Sequence, residues 1–176
     1  MKINIKLDTR SVKMAIRNIK RYQQQLDEKC ALFVQKLADQ GIATAKLNAG
    51  EYGHYITFSK EITNSNHKVI GKLIAVGTPM ERIRKGQTIF VDPLLLAEFG
   101  SGWESEVLDD VGGVGQGTFP GQTHAFDPQG WWYVDAVTGE KLHSYGESPT
   151  FPMHSASIAM IFAINEVAKE VFGNGR

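Results

Sequence analysis

The chain has 176 residues, which is enough for one domain with a hydrophobic core and too few for two of ordinary size. Its apolar fraction of 42% and charged fraction of 22% are those of a globular protein, which excludes disordered and collagen-like classes. A single cysteine excludes an internal disulfide, and no apolar run approaches the roughly 20 residues that cross a bilayer. We therefore expect one domain, residues 1–176, with no membrane association and no secretion signal.

The net charge is zero, but the charges are unevenly placed along the chain. Residues 1–36 hold nine Lys and Arg against three Asp and Glu, whereas residues 92–127 hold seven acids and no Lys or Arg. Such a separation would suit head-to-tail association between copies, or contact with two different partners. An ordinary solvated surface accounts for it equally well.

A long N-terminal helix is predicted over residues 9–48. Asp8, Thr9 and Ser11 offer N-cap oxygens at its start, and no proline interrupts it. Its stripe of apolar positions repeats every three or four residues and comprises Val12, Ile16, Ile19, Leu26, Cys30, Phe33, Leu37 and Ala45. At 1.5 Å per residue the helix would reach roughly 60 Å, which exceeds the width of a domain of this size. Either it bends near Gly41, or another chain buries part of the stripe.

The rest of the chain predicts an α+β fold. Strands are predicted at 3–7, 54–61, 68–76, 88–91, 131–135 and 141–145, with a turn over 63–66. A second amphipathic helix is predicted over 155–172, while the segment 94–99 is too short to classify. We expect the long and the C-terminal helix to pack on one face of a mainly antiparallel sheet of four to six strands. A glycine-rich acidic loop is predicted at about 100–129.

Motifs for catalysis are scarce. The chain has no HExxH, CxxC or nucleophile-elbow motif, and the glycine run at 112–117 lacks the ending of a phosphate-binding loop. A metal site assembled in space from His124, Asp127, His143 and His154 would make the protein a small metal-dependent hydrolase. We otherwise predict no catalytic, metal or cofactor site. Direct DNA contact is possible through the basic residues of the long helix, but the neutral composition and the absence of a reader motif disfavour it.

Two sequence blocks carry a resemblance to a known family. The first is AEFGSGW at 97–103, and the second is GESPTFPMHSA at 146–156; a WWYVD strand lies between them and a long helix ending in small residues precedes them. This arrangement resembles the tailed-phage "gene-product-ten-like" tail-component family, the neck or tail-completion proteins of lambda-like siphophages. The chain departs from the family at 48–54, where NAGEYGH replaces a proline-containing turn.

The resemblance implies a non-enzymatic virion protein that is assembled in the bacterial host cytoplasm. It would form a homo-oligomeric ring of about six copies and contact other phage neck and tail proteins. A minor head or head-closure role remains an alternative. The predicted interface residues are Glu98, Gly100, Gly102, Trp103, Asp109, Asp110, Pro149 and Pro152. We also expect the loop at 103–128 to order only on assembly. Alternatively, Glu98 pairs with a lysine of its own subunit.

Overall fold

A computed structural model describes residues 8–65, 67–84, 87–102, 127–135 and 138–173. Its helices are α1 (Thr9–Asn48), a 3₁₀ helix (Gly50–Tyr55), α2 (Pro93–Phe99) and α3 (Pro152–Phe172). Its strands are β1 (Ile56–Ser65), β2 (Lys68–Gly77), β3 (Met80–Arg84), β4 (Gln87–Val91), β5 (Ser101–Gly102), β6 (Trp131–Val134), β7 (Lys141–Ser144) and β8 (Gly146–Glu147). All pairings are antiparallel: β1 with β2, β3 with β4, β5 with β8, and β6 with β7.

The α+β class is confirmed, with a long N-terminal helix, a C-terminal helix and antiparallel strands. The strands lie in small two-stranded sheets, whereas the sequence predicted one sheet of four to six strands. The predicted strand at 54–61 begins instead at Ile56, because the two residues before it belong to the 3₁₀ helix. The predicted turn at 63–66 was also placed too early, since β1 continues to Ser65. The strand predicted at 3–7 lies outside the described residues.

Helix α1 has the predicted bounds and runs without interruption through Gly41. At its start, the Asp8 carboxylate accepts a hydrogen bond from the Ser11 amide at 2.8 Å. At Gly41, a Cβ atom would lie 2.8 Å from the Met160 sulfur and 2.9 Å from a Leu73 methyl. The glycine therefore allows α3 and β2 to approach the backbone of α1 closely.

The second half of α1 is covered by two elements. Helix α3 packs along it, with the rings of Phe33 and Phe172 5.8 Å apart and Lys36 bonded to Glu170 at 2.7 Å. The β1–β2 hairpin lies beside it and extends to the first half of α1, where His67 near the hairpin tip contacts Gln23 at 2.9 Å. Beyond the end of α1, the core is a buried cluster of Ala49, Tyr52, Ile56, Leu96 and Ala97.

The first half of α1 presents the same apolar stripe to the surface. Val12 is 41% exposed, Ile16 is 49%, Ile19 is 51% and Leu26 is 40%. Ala15 is the one buried residue in this half of α1, whereas Ala38, Gly41 and Ala45 are buried in the second half, where Phe33 and Leu37 are half-buried. The large side chains of the stripe are therefore more exposed in the first half of α1 than in the second.

Replacing Gly41 with leucine should destabilise the fold, because the added side chain would overlap α3 and β2. We expect Gly41→Leu to lower the free energy of unfolding by about 1–3 kcal/mol, the usual cost of overpacking a core. Urea denaturation followed by circular dichroism measures this change. The control Ala43→Leu places the same side chain at an exposed position of α1 and should change the stability by less than about 0.5 kcal/mol. Equal effects of the two substitutions would contradict the packing described here.

Candidate functional site

The two sequence blocks that carry the family resemblance meet in the folded chain. Strand β5, within the first block, pairs with β8 in the second, with Ser101 opposite Glu147. The carbonyl of Ala97 accepts hydrogen bonds from the amides of Thr150 at 2.8 Å and Phe151 at 3.1 Å. We call this contact region, residues 96–102 with 146–154, the α2–α3 junction.

The central group of the α2–α3 junction is the Glu98 carboxylate. Its side chain is buried, with a relative exposure of 7% for the residue. One carboxylate oxygen accepts the amide of Met153 at 2.7 Å and the other accepts the amide of His154 at 2.8 Å. These amides belong to the first turn of α3, where backbone N–H groups have no partner within the helix. Glu98 therefore caps α3 from α2.

The local sequence of α3 explains why a distant residue supplies the cap. Phe151, at the N-cap position, has a left-handed backbone with φ of 51° and a side chain that makes no capping hydrogen bond. Pro152 is the first helical residue and has no N–H to satisfy. A negative charge at a helix N-terminus is also favoured by the helix dipole. The Glu98 carboxylate thus combines two hydrogen bonds with a favourable electrostatic position.

Glycine is required where the two blocks approach each other. Gly100 has φ of 69°, and a Cβ there would lie 2.3 Å from the Glu147 carbonyl oxygen. Gly146 has φ of 121°, and a Cβ there would lie 1.9 Å from the Ser101 carbonyl oxygen. At Gly102, with φ of 63°, a Cβ would lie 2.7 Å from the Tyr145 carbonyl oxygen and 2.8 Å from the ring of Trp131. The backbone geometry and the close contact therefore both select glycine in these blocks.

A tyrosine connects the α2–α3 junction to the end of α1. Tyr52 is 8% exposed, and its hydroxyl donates a hydrogen bond to the Glu147 carboxylate. Sequence reasoning missed this pair, since the partners are 95 residues apart and Tyr52 belongs to neither block. The only signal was that Tyr52 falls in the segment where the chain departs from the family pattern.

The predicted interface residues fall into two groups. Those described by the structure are in the α2–α3 junction, where Glu98, Gly100, Gly102 and Pro152 are buried and Pro149 is half-buried. Their described contacts are within the subunit, and the hydrogen-bond partners of Glu98 are backbone amides, not a lysine side chain. Trp103, Asp109 and Asp110 lie outside the described residues, as does the loop predicted to order on assembly.

The histidines of the hypothetical metal site have other neighbours. His143 lies between Trp132 and Tyr145 in edge-to-face contact with both rings, with ring centroids 4.7 Å from each. His154 lies in the first turn of α3, 6.2 Å from the ring of Phe151. Among the described residues, no three His, Cys, Asp or Glu side chains are grouped closely enough to hold a metal ion. His124 lies outside those residues.

Comparisons with known proteins give no further identification. No protein-family model, curated protein or solved structure matches the chain. In the part of the chain that the structure describes, no helix combines the length and apolar character of a membrane span.

Substitution of Glu98 tests its capping role. Glu98→Gln removes the charge and one of the two carboxylate acceptors from a buried site. We expect it to lower the free energy of unfolding by about 1.5–3 kcal/mol, the range for hydrogen bonds to charged groups. Chemical denaturation of the variant measures the loss. Glu166→Gln makes the same chemical change at an exposed position of α3 and should be nearly neutral; similar losses in both variants would argue against the cap.

Alanine substitutions at two glycines separate the cost of a steric clash from the cost of a left-handed backbone conformation. Gly146→Ala should be destabilising because the new methyl group would overlap the Ser101 carbonyl. Gly139 also has a positive φ, 73°, but nothing lies within 4 Å of a Cβ placed there. Gly139→Ala should therefore show only the conformational cost of about 1–2 kcal/mol. Thermal unfolding should give a clearly larger loss for Gly146→Ala, and an equal loss would mean that the β5–β8 approach is unimportant.

Proposed function

We propose that this protein is a non-enzymatic structural component of a tailed phage, acting in the head–tail neck or the tail. Its role would be tail completion or head–tail joining. It would act through ring assembly and protein–protein contacts, with no cofactor. It would be made and assembled in the host cytoplasm and remain in the virion. A minor head or head-closure role is the alternative within the same class.

The observation that carries this proposal is the architecture of the α2–α3 junction. Two blocks, 97–103 and 146–156, carry the resemblance. Their described residues cap α3, pair β5 with β8, and include glycines where the two backbones come close together. Glu98 is bonded to two backbone amides, so both oxygens of its carboxylate already have partners. The residue types in these blocks are thus explained by the positioning of α2 and α3. This suits a protein that acts by offering its surface to other proteins.

The open apolar stripe of α1 gives independent support for association. Contiguous exposed apolar residues on a soluble domain commonly mark a surface that binds another protein. In α1 the exposed residues include Ile16 at 49% and Ile19 at 51%, on a helix whose later turns are packed. From the sequence, a helix of this length required either a bend near Gly41 or a second chain that buries part of the stripe. The exposed first half of α1 favours burial by a second chain.

The solution mass of the purified wild-type protein tests ring assembly. Light scattering should show a mass that rises with protein concentration and falls as salt is raised from about 0.1 to 1 M, which shortens the Debye length from about 10 to 3 Å. Negative-stain electron microscopy of the largest species should show closed rings. A monomer at every concentration and salt, together with stoichiometric zinc in protein purified without added metal, would contradict the proposal and support the hydrolase.

A further inference from the structure

Helix α3 is apolar on the face that packs against α1 and also on the opposite face. Met160 lies against Gly41 of α1, where it would contact an added Cβ at 2.8 Å. Ile158, Ile161 and Phe162 follow a spacing of three and four residues on another face, and they are 41%, 59% and 80% exposed. A helix that is apolar all round is expected in a protein interior, not at a surface. We call these three exposed residues the α3 patch.

The first half of α1 continues the face that binds α3 in the second half. There, Phe33 contacts Phe172 in the last turn of α3. Toward the N-terminus, beyond that turn, the same face continues at spacings of three, four or seven residues with large apolar side chains that are 40–51% exposed. These residues, which we call the α1 stripe, are Leu26, Ile19, Ile16 and Val12. The α1 stripe is thus a helix-binding face that the described helices leave uncovered.

The α1 stripe and the α3 patch of one subunit do not meet. Met160, at the level of the α3 patch, lies against Gly41. From Gly41 back to Ile16 the unbroken helix rises about 37 Å. The α3 patch also points away from α1, because Phe162 follows Met160 by two residues, about 200° around the helix. A contact between the α1 stripe and the α3 patch therefore joins two copies.

We propose that the α1 stripe of one copy packs across the α3 patch of the next copy. The contact repeats between subunits the packing of α1 against α3 that the fold makes within each subunit. It covers both open apolar surfaces at once, and it explains why α3 is apolar on two sides, since α3 then lies between two α1 helices. The contact joins two different surfaces, so it is head-to-tail and can close into a ring. This inference rests on the proposed function and adds to it the surfaces that the copies use.

The charges beside the two surfaces are compatible with this contact. No Asp, Glu, Lys or Arg occurs over residues 152–165, so the cations beside the α1 stripe meet no like charge within that stretch of α3. Lys13 and Lys20 are exposed and border Ile16, from which they are three and four residues away. The exposed ring of Phe162 can accept an ammonium group through a cation–π contact. Apolar burial therefore selects the partner surface, and the lysines add a contact at its edge.

Two double variants test the pairing, each disabling one surface. Ile16→Gln with Ile19→Gln disables the α1 stripe, and Ile161→Gln with Phe162→Gln disables the α3 patch. All four side chains are at least 49% exposed and glutamine is a good helix former, so circular dichroism should show wild-type folding. By light scattering, each variant alone should associate at least about tenfold more weakly than the wild type, which corresponds to about 1.4 kcal/mol.

The matched control is Met14→Gln with Leu32→Gln. These side chains are 53% and 44% exposed on another face of α1, since Met14 precedes Ile16 by two residues, about 200° around the helix. The control loses similar apolar surface and should associate like the wild type. Equal weakening in the control and in the α1-stripe variant would overturn the pairing, because general loss of apolar surface would then account for both.

Mixing the two disabled variants distinguishes head-to-tail pairing from other geometries. The intact α1 stripe of one variant can then pack on the intact α3 patch of the other, and neither disabled surface can extend the chain. We expect a heterodimer containing one copy of each. Failure of the mixture to associate would overturn the pairing.

Other results would assign the surfaces or the function differently. Wild-type association of the α3-patch variant, with association lost in the α1-stripe variant, would overturn the pairing in favour of a different occupant of α1, such as a second α1. Rings that persist in both double variants would overturn the pairing and leave the proposed ring function standing. Oligomers that require both surfaces but never close would support the pairing and contradict ring assembly. A wild type that is monomeric at every concentration would overturn the pairing, whereas the proposed function is contradicted only if stoichiometric zinc is also bound.

Discussion

The interaction on which the fold most depends is the acceptance of two α3 amides by the buried Glu98 carboxylate. A buried carboxylate is costly unless its charge is compensated, and a helix start is costly unless its N–H groups have partners. Each group satisfies the other here. The contact fixes the seven-residue α2 against the start of α3, and the Tyr52–Glu147 hydrogen bond joins both to the end of α1.

Because the C-terminal end of α1 is held at this junction, the course of the helix determines which of its residues are exposed to partner proteins. Its later turns carry small residues that admit α3 and β2, so they are internal. Its first turns carry large apolar side chains and cations that remain exposed in the subunit. The subunit therefore presents an exposed apolar and basic surface on the first half of α1.

The sequence predicted the parts of the fold that have strong local signals. Helix α1 was predicted with its observed bounds because its apolar period is long and Asp8 is a good cap. Strands β6 and β7 were predicted, and the structure pairs them as an antiparallel hairpin. Helix α2 could not be classified because seven residues are too few to show a period. Strand β3 was missed because MERIR has too weak an apolar alternation, and pairing with β4 determines it instead.

The candidate site was less predictable than the elements that form it. Both blocks were recognised, but neither indicates that Glu98 accepts hydrogen bonds from the amides of Met153 and His154. These residues follow Glu98 by 55 and 56 positions. Backbone donors carry no sequence signature, so a cap supplied from another helix is visible only in the folded chain. The Tyr52–Glu147 hydrogen bond, across 95 residues, was missed for the same reason.

Hydrogen exchange by mass spectrometry at low and high protein concentration tests the central claim most directly. The claim is that a stable internal junction leaves the first half of α1 exposed for assembly. It predicts that the first turn of α3, including the amides of Met153 and His154, is protected at both concentrations. It also predicts that residues 9–22 exchange more slowly at the higher concentration. Rapid exchange at the start of α3, or exchange in the first half of α1 that does not change with concentration, would contradict the account.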